Sequence, residues 1–444
     1  MTADATIFAL STPKGRGAIA VVRVSGPSAE LVLETLAGYV PAPRRASLAS
    51  LKSNGELLDR ALSLWLPGPH SFTGEDMAEL HIHGGQAVVS AVLEAIARIP
   101  DCRLAEPGEF TRRGFDHDRF DLVEAEAIGD LVEAETAAQR RQALDQMGGA
   151  FSALVTDWAE RLKHALAHVE AAIDFADEDL PGDVAAPALA VAEELAADIH
   201  RHLADNRRGE ITRDGLSVAI IGPPNSGKSS LLNALAKREA AIVSSIAGTT
   251  RDVIEIHLDL GGYAVTLADT AGLRESYDPI EREGIARARK QAEQAELRIL
   301  VLDAAAPGMW EDFRELADER TILVWNKSDL APAPPLEGVA ASAILSLSAG
   351  TGAGLEALET AIEAAAATRL AGPPALVTRA RHREALTDCV AALDRVFHVK
   401  QSGGDAALVA EDLRLALRAL GRITGRVDVE DLLDVIFRDF CIGK

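Results

Sequence analysis

At 444 residues the chain is too long for one hydrophobic core and is expected to form about three domains. Its 45 Lys and Arg stand against 68 Asp and Glu, a net charge of −23, which repels a polyanion at long range; contact with nucleic acid therefore needs a local basic patch or a partner. The three cysteines, Cys102, Cys389 and Cys441, form no CxxC pair, which argues against a disulfide framework or zinc knuckle, and with no 18-residue apolar run and no basic-then-apolar start after Met1 a cytoplasmic protein is expected.

Residues 1–117 read as a compact α/β unit. Ala18 to Ser25 and Leu62 to Leu66 are short strand-like runs, Ser28 opens a helical pattern, and Glu79-Leu80-His81-Ile82-His83 alternates before Gly84-Gly85. His81 and His83 share one strand face, but no third ligand stands at metal-binding spacing, so they read as ordinary strand histidines. Thr12-Pro13-Lys14-Gly15-Arg16-Gly17 is a turn or a small anion-binding loop.

Residues 118–213 change character, being rich in Ala, Glu, Leu and Gln. Leu122, Ile128 and Leu131, then Leu154, Trp158, Leu162, Leu166 and Val169, fit long amphipathic helices broken at Gly148-Gly149, and Ala188 to Asn206 adds another. Glu124, Glu126, Glu133 and Glu135 read as a solvated face, because a di-metal bundle would need Glu-x-x-His pairs that are missing.

Residues 214–368 carry the clearest chemistry. The apolar run Leu216 to Ile221 leads into Gly222-Pro223-Pro224-Asn225-Ser226-Gly227-Lys228-Ser229-Ser230 and then a helical pattern, the strand–loop–helix setting of a P-loop. Gly222 and Gly227 permit backbone angles that aim N–H groups at phosphate oxygens, Lys228 reaches the β- and γ-phosphates, and the Ser229 hydroxyl suits Mg²⁺. Ser244-Ser245-Ile246-Ala247-Gly248-Thr249-Thr250-Arg251-Asp252 follows, then an alternating strand at Ile254, Ile256, Leu258 and Leu260. A Gly261-Gly262 turn and the Tyr263 to Ala268 strand end in Asp269-Thr270-Ala271-Gly272. Asp269 is placed for the Mg²⁺ water shell and the Gly272 N–H for the γ-phosphate, the order of a switch GTPase. Arg298 to Leu302 and Thr321 to Trp325 are buried strands, the second delivering Asn326-Lys327-Ser328-Asp329. Asp329 can accept from guanine N1–H and its 2-amino group, donors that adenine lacks there. Ser346-Leu347-Ser348-Ala349-Gly350 brings a backbone N–H to the guanine O6.

Residues 369–444 return to helix at Ala380 to Val399, Ala406 to Leu420 and Asp428 to Phe440, so the nucleotide domain is an insertion in a helical domain whose two halves pack as one bundle. The expected fold is multidomain: an N-terminal α/β domain, an all-α bundle, and a doubly wound, mostly parallel P-loop GTPase sheet inserted in the bundle. Leu273 stands where many small GTPases have a water-positioning Gln, so another residue must do that work. No arginine finger is evident; Asn225 offers an amide oxygen to a monovalent cation, and the Ser244 to Thr249 loop offers carbonyls.

These motifs, with Asp269 to Arg274, Gly15-Arg16-Gly17, Ser71-Phe72-Thr73-Gly74-Glu75-Asp76, Glu106-Pro107-Gly108-Glu109-Phe110 and the terminal Cys441-Ile442-Gly443-Lys444, resemble the TrmE/MnmE tRNA-modification GTPases over the whole chain. The resemblance implies a homodimer built on a folate-binding N-terminal domain, with a potassium-stimulated G domain. It also implies an FAD-dependent partner of the MnmG/GidA type with which C5 of the tRNA wobble uridine is modified from a tetrahydrofolate one-carbon donor. By resemblance K⁺ falls to Asn225, Thr249 and the Ser244 and Ile246 carbonyls, Mg²⁺ to Ser229 and Thr250, and the catalytic carboxylate to Glu281, alongside Lys228. The folate site is implied at Arg23, Glu79, Arg119 and Lys444, with Arg119 where the family commonly has Lys; Cys441 is either a catalytic thiol or a packed one. The rival readings are a ribosome-assembly switch GTPase, which the acidic flanks disfavour, and a folate-dependent one-carbon transferase with a merely regulatory G domain.

Overall fold

The structure, a computed structural model, describes residues 5–174, 186–238, 241–242, 255–269, 295–335, 338–401, 405–427, 430–438, 440 and 442–443. The chain forms two compact units, one of residues 1–129, 147–178 and 410–444 and the other of 130–146 and 179–409.

In the first unit six strands, β1 (Thr6–Leu10), β2 (Ile19–Ser25), β3 (Ser47–Ser53), β4 (Glu56–Leu66), β5 (Met77–His83) and β6 (Cys102–Leu104), form a sheet of order β3-β4-β5-β2-β1-β6. All neighbours are antiparallel except β1 and β6. Period-2 alternation sends Phe8, Val22, Val24, Leu80 and Ile82 to one face, where Val32, Leu33 and Leu36 of helix Ala29–Ala37 and Val92 and Ile96 of helix Gln86–Ala97 cover them. Ile7, Ala9 and Met77 pack on the opposite face with Phe110 of helix Glu109–Asp116. The β3–β4 hairpin turns on Asn54 and Gly55, both at positive φ (50° and 83°), as a two-residue turn compatible with strand twist requires.

The same unit contains helix Ala150–Asp174, whose buried face is Phe151, Val155, Trp158, Leu162, Ala165 and Val169. The spacing of four and three residues is a heptad seam, so Leu154 and Leu166, expected on the apolar stripe, lie half-buried beside it. Arg414, on helix Ala406–Thr424, bonds Glu170 at 2.7 Å, and Leu433 and Phe437 of helix Glu430–Arg438 pack on Leu122 and Ala125.

In the second unit β7 (Leu216–Ile221), β8 (Ala241–Ile242), β9 (Glu255–Leu260), β10 (Tyr263–Asp269), β11 (Leu297–Asp303), β12 (Thr321–Asn326) and β13 (Ala343–Ser346) form a sheet of order β13-β12-β11-β7-β10-β9-β8. β13, β12, β11, β7 and β10 run parallel, while β9 pairs antiparallel with β10 and β8. The parallel strands are buried on both faces: Val218 and Ile220 meet helices Lys228–Ala236 and Leu355–Leu370, while Ala219 and Ile221 meet Trp310, Phe313 and Trp325. Helices Ala186–Leu203 and Ala380–Gln401, from either side of the inserted sheet in sequence, pack together in this unit. The expected class, α/β domains with a P-loop sheet inserted in a helical domain, is the observed one. Among the described residues no helix is long and apolar enough to cross a membrane.

Candidate functional site

The parallel register places the ends of the second unit's strands at one sheet edge. Asp269 pairs with Ile220, Leu300 with Ile221, Asp303 with Asn326, and Trp325 with Ser346. The P-loop, the Asp269 end of β10, Asn326 to Asp329 and Ser348 to Gly350 therefore emerge side by side where β7 is flanked by β10 and β11, the switch point at which open α/β sheets bind ligands.

The P-loop is held tightly from behind. A Cβ on Gly222, at φ 145°, would run into the Val301 carbonyl oxygen, and one on Gly227, at φ 96°, into the Asn326 side-chain amide. Glycine is thus required at both for conformation and for space. The Lys228 ammonium donates to the carbonyls of Gly222 (3.0 Å) and Pro223 (2.8 Å), so its charge lies inside the loop at the start of helix Lys228–Ala236. Positive charge, loop N–H groups and a helix N-terminus converge there as an anion cradle. Asn225, Ser229 and Ser230 are exposed on it and Ser226 is buried.

Asn326 joins the site's parts. Its side chain is buried, its Nδ2 donates to the Ser226 carbonyl (2.8 Å), and its Oδ1 accepts from the Ala349 N–H (3.0 Å). The P-loop and the Ser348–Gly350 turn are therefore tied through one amide, and Asp329 stands exposed beside them. Lys327, also at positive φ (62°), sends its ammonium to the Asn225 carbonyl (2.9 Å) and to Asp303 Oδ2 (2.7 Å). Burial pushes the Asp303 carboxyl upward, but bonds from Lys327 and from the Ala305 N–H prevail and hold it below its ordinary value. Asp303 was not among the residues selected from sequence. Residues Ser244, Ser245, Ile246, Ala247, Gly248, Thr249, Thr250, Thr270, Ala271, Gly272 and Glu281, and the side chain of Asp269, lie outside the described residues.

A second cluster lies in the first unit. Arg23 and Glu79 face each other across β2 and β5, with Arg23 Nε and Nη2 at 3.2 and 3.1 Å from Glu79 Oε1. The guanidinium also lies over the rings of Phe72 (5.4 Å) and Phe110 (5.8 Å). Arg119 Nε donates to the carbonyl of Ser71 (3.1 Å), the residue before Phe72. Phe72 and Phe110 sit in the Ser71-to-Asp76 and Glu106-to-Phe110 motifs, the signal by which sequence could have pointed to them. His81 Nε2 meets Glu79 Oε2 at 3.1 Å and His83 Nδ1 meets Asp59 at 2.7 Å; each histidine has a carboxylate neighbour.

The chain's last described residues reach the same unit. Ile442 bridges to Pro107, and Ser11 Oγ donates to the Gly443 carbonyl (3.0 Å). Gly443, at φ 98°, lies against the backbone of Leu10 and Ser11 so closely that a Cβ would clash. Cys441 and Lys444 lie outside the described residues.

The chain matches the family model described as the MnmE helical domain over residues 122–441, and that described as the GTP-binding protein TrmE N-terminus over residues 6–119. A tRNA modification GTPase MnmE of Parvibaculum lavamentivorans is 54% identical over 443 residues, 99% of this chain and 100% of that one. Those of Rhodospirillum rubrum, 52% identical with 100% of each chain covered, and of Rhodopseudomonas palustris, 51% identical with 99% of each covered, are similar over the same span. Two family models that follow one another along the chain, and relatives half identical over nearly all of it, have one consequence: the chain belongs to the MnmE family of tRNA modification GTPases.

Proposed function

We propose that this protein is a potassium-stimulated GTP hydrolase that modifies C5 of the wobble uridine in tRNA, acting as a homodimer with an FAD-dependent partner of the MnmG/GidA type and a tetrahydrofolate one-carbon donor. The observation that carries the reading is the single sheet edge on which the P-loop, Asn326 to Asp329 and Ser348 to Gly350 meet, in a chain of this family. Lys228 and the loop N–H groups bind the β- and γ-phosphates, Asp329 reads the guanine edge, and Asn326 keeps the two ends of the nucleotide in register. Ser229, exposed in the first turn of its helix, is a suitable hydroxyl ligand for Mg²⁺ together with Thr250. Asn225, exposed on the P-loop, offers its amide oxygen to K⁺ beside Ser244, Ile246 and Thr249; the cation supplies charge at the β–γ bridge. Glu281 orients the attacking water in place of Leu273. The donor set of the first unit fits a folate: aromatic rings from Phe72 and Phe110, a carboxylate from Glu79 for pterin N–H groups, and cations from Arg23, Arg119 and Lys444 for the glutamate tail.

Hydrolysis measured in KCl and NaCl at equal ionic strength tests the proposal. GTP turnover should rise in K⁺ and not in Na⁺, by less than the roughly 10³–10⁵-fold of an arginine finger. Equal rates in the two salts would remove K⁺ from the mechanism.

A further inference from the structure

We propose that Asp303 is a positioning residue for the guanine nucleotide, fixing Lys327 against the P-loop and so setting how long the nucleotide stays bound. The inference rests on the reading of Asp329 as the guanine-binding residue. Asp303 ends β11 in register with Asn326 of β12, one residue before Lys327. Both of its carboxylate oxygens are engaged: Oδ1 accepts from the Ala305 N–H at 2.9 Å and Oδ2 from the Lys327 ammonium at 2.7 Å, which fixes the carboxylate's plane. The same ammonium reaches the Asn225 carbonyl at 2.9 Å. Asn225 and Lys327 are both in the left-handed region, φ 61° and 62°, which asparagine tolerates and lysine adopts only at local cost.

A neutral carbonyl alone holds a long lysine side chain weakly, because water satisfies the ammonium equally well and the four-carbon stem regains its rotamers on release. The Asp303 carboxylate makes the bond charge-assisted in a partly buried site, where it is stronger than at a free surface. With its backbone at the end of β12 and its ammonium on Asp303 and Asn225, the Lys327 stem is pinned at both ends. It becomes a fixed wall beside Asp329, two residues on, against which a planar base can lie. Asp303 thereby acts through Lys327 at the base end of the site.

The experiment uses the full chain and a fluorescent GDP analogue, comparing dissociation rates for Asp303→Asn, Asp303→Glu, Lys327→Ala and the double variant. Asp303→Asn should release GDP about tenfold faster, the loss of one charge-assisted bond. Asp303→Glu should restore part of the retention, and Asp303→Asn should add little on top of Lys327→Ala, since both break one linkage. Single-turnover hydrolysis of prebound GTP should change by a smaller factor than dissociation does. An unchanged dissociation rate in Asp303→Asn, or effects that add fully in the double variant, would overturn the proposal. Asp329→Asn in the same assay isolates the premise: it swaps one acceptor for a donor, so retention should shift from GDP towards the xanthine analogue. If it does not, the guanine reading fails, whatever Asp303 does.

Discussion

Asn326 and Gly227 are a pair of residues that constrain one another. The Asn326 amide occupies the space a Cβ on Gly227 would need, and that amide is the link between the Ser226 carbonyl and the Ala349 N–H. Gly227→Ala therefore meets two costs, a left-handed backbone worth about 1–2 kcal/mol for a non-glycine residue and the displacement of a buried amide that makes two hydrogen bonds of about 1 kcal/mol each. A combined loss of about 2 kcal/mol or more corresponds to roughly 30-fold weaker guanine nucleotide binding. Titration with a fluorescent GDP analogue checks this. A Kd within threefold of the parent would mean that Asn326 moves aside freely and is no clamp.

The segment that leads into β7 is held by ions. Helix Arg208–Asp214 carries Glu210, which is buried and accepts from Arg207 (2.6 and 2.8 Å) and from Arg383 Nε (2.5 Å), while Arg383 also reaches Asp205 (2.6 Å) and the Leu203 carbonyl (2.9 Å). Arg383 stands on helix Ala380–Gln401, so the network joins the chain entering the nucleotide-binding sheet to the chain leaving it. Burial acts to raise the Glu210 carboxyl, and the bonds from Arg383 and Arg207 outweigh it, leaving it below the ordinary 4.5. A carboxyl whose folded value is depressed contributes stability above its unfolded value, and that contribution is lost as pH falls below about 4.5 and through the folded value. Glu210→Gln leaves the half-buried Arg383 with Asp205 as its remaining carboxylate and removes the partner of the exposed Arg207, a loss of about 1–3 kcal/mol at pH 7. The variant should melt lower at pH 7 and lose less on acidification than the parent; equal melting of the two at pH 7 would refute the network's role. Sequence legibility divides along the same physical line. The P-loop and the Asn326-to-Asp329 run are contiguous, so spacing alone carries them, and the parallel strands show as apolar runs because both faces are buried. Asp303 is 24 residues from Lys327, and only strand register makes them neighbours. β3 and most of β4 alternate weakly around the Asn54-Gly55 turn, which is the local signal for that hairpin and stood unused. In helix Ala150–Asp174 the seam passes through Ala165, a residue too small to stand out in an apolar stripe.

On the scale of the whole chain, residues far apart in sequence meet in the first unit. Ser11 and Gly443 are 432 residues apart and share a hydrogen bond, Ile442 bridges Pro107, and the Gly443 backbone lies against Leu10. Three contacts hold the Ile442–Gly443 segment in place. Ala9 is the register partner of Arg23, and Ser11, just past the end of β1, donates its N–H to the Val21 carbonyl (2.8 Å). Ile442 and Gly443 are thus held in the unit that also carries the Arg23–Glu79 pair with Phe72 and Phe110. If Lys444 completes the folate site, removing residues 441–444 deletes one charge-assisted bond and the Ile442 and Gly443 anchor, and 5-formyltetrahydrofolate should bind about tenfold or more weakly. The nucleotide site lies in the other unit and uses none of these residues, so GTP hydrolysis in K⁺ should persist while wobble-uridine modification, read by mass spectrometry of tRNA from a complemented deletion strain, is lost. Cys441→Ser separates thiol chemistry from anchoring: loss of modification with folate binding retained assigns a chemical role to the sulfur. Unchanged folate binding in the truncated protein would reduce the tail to a strap across β1 and leave Arg23, Glu79 and Arg119 to hold the ligand without it.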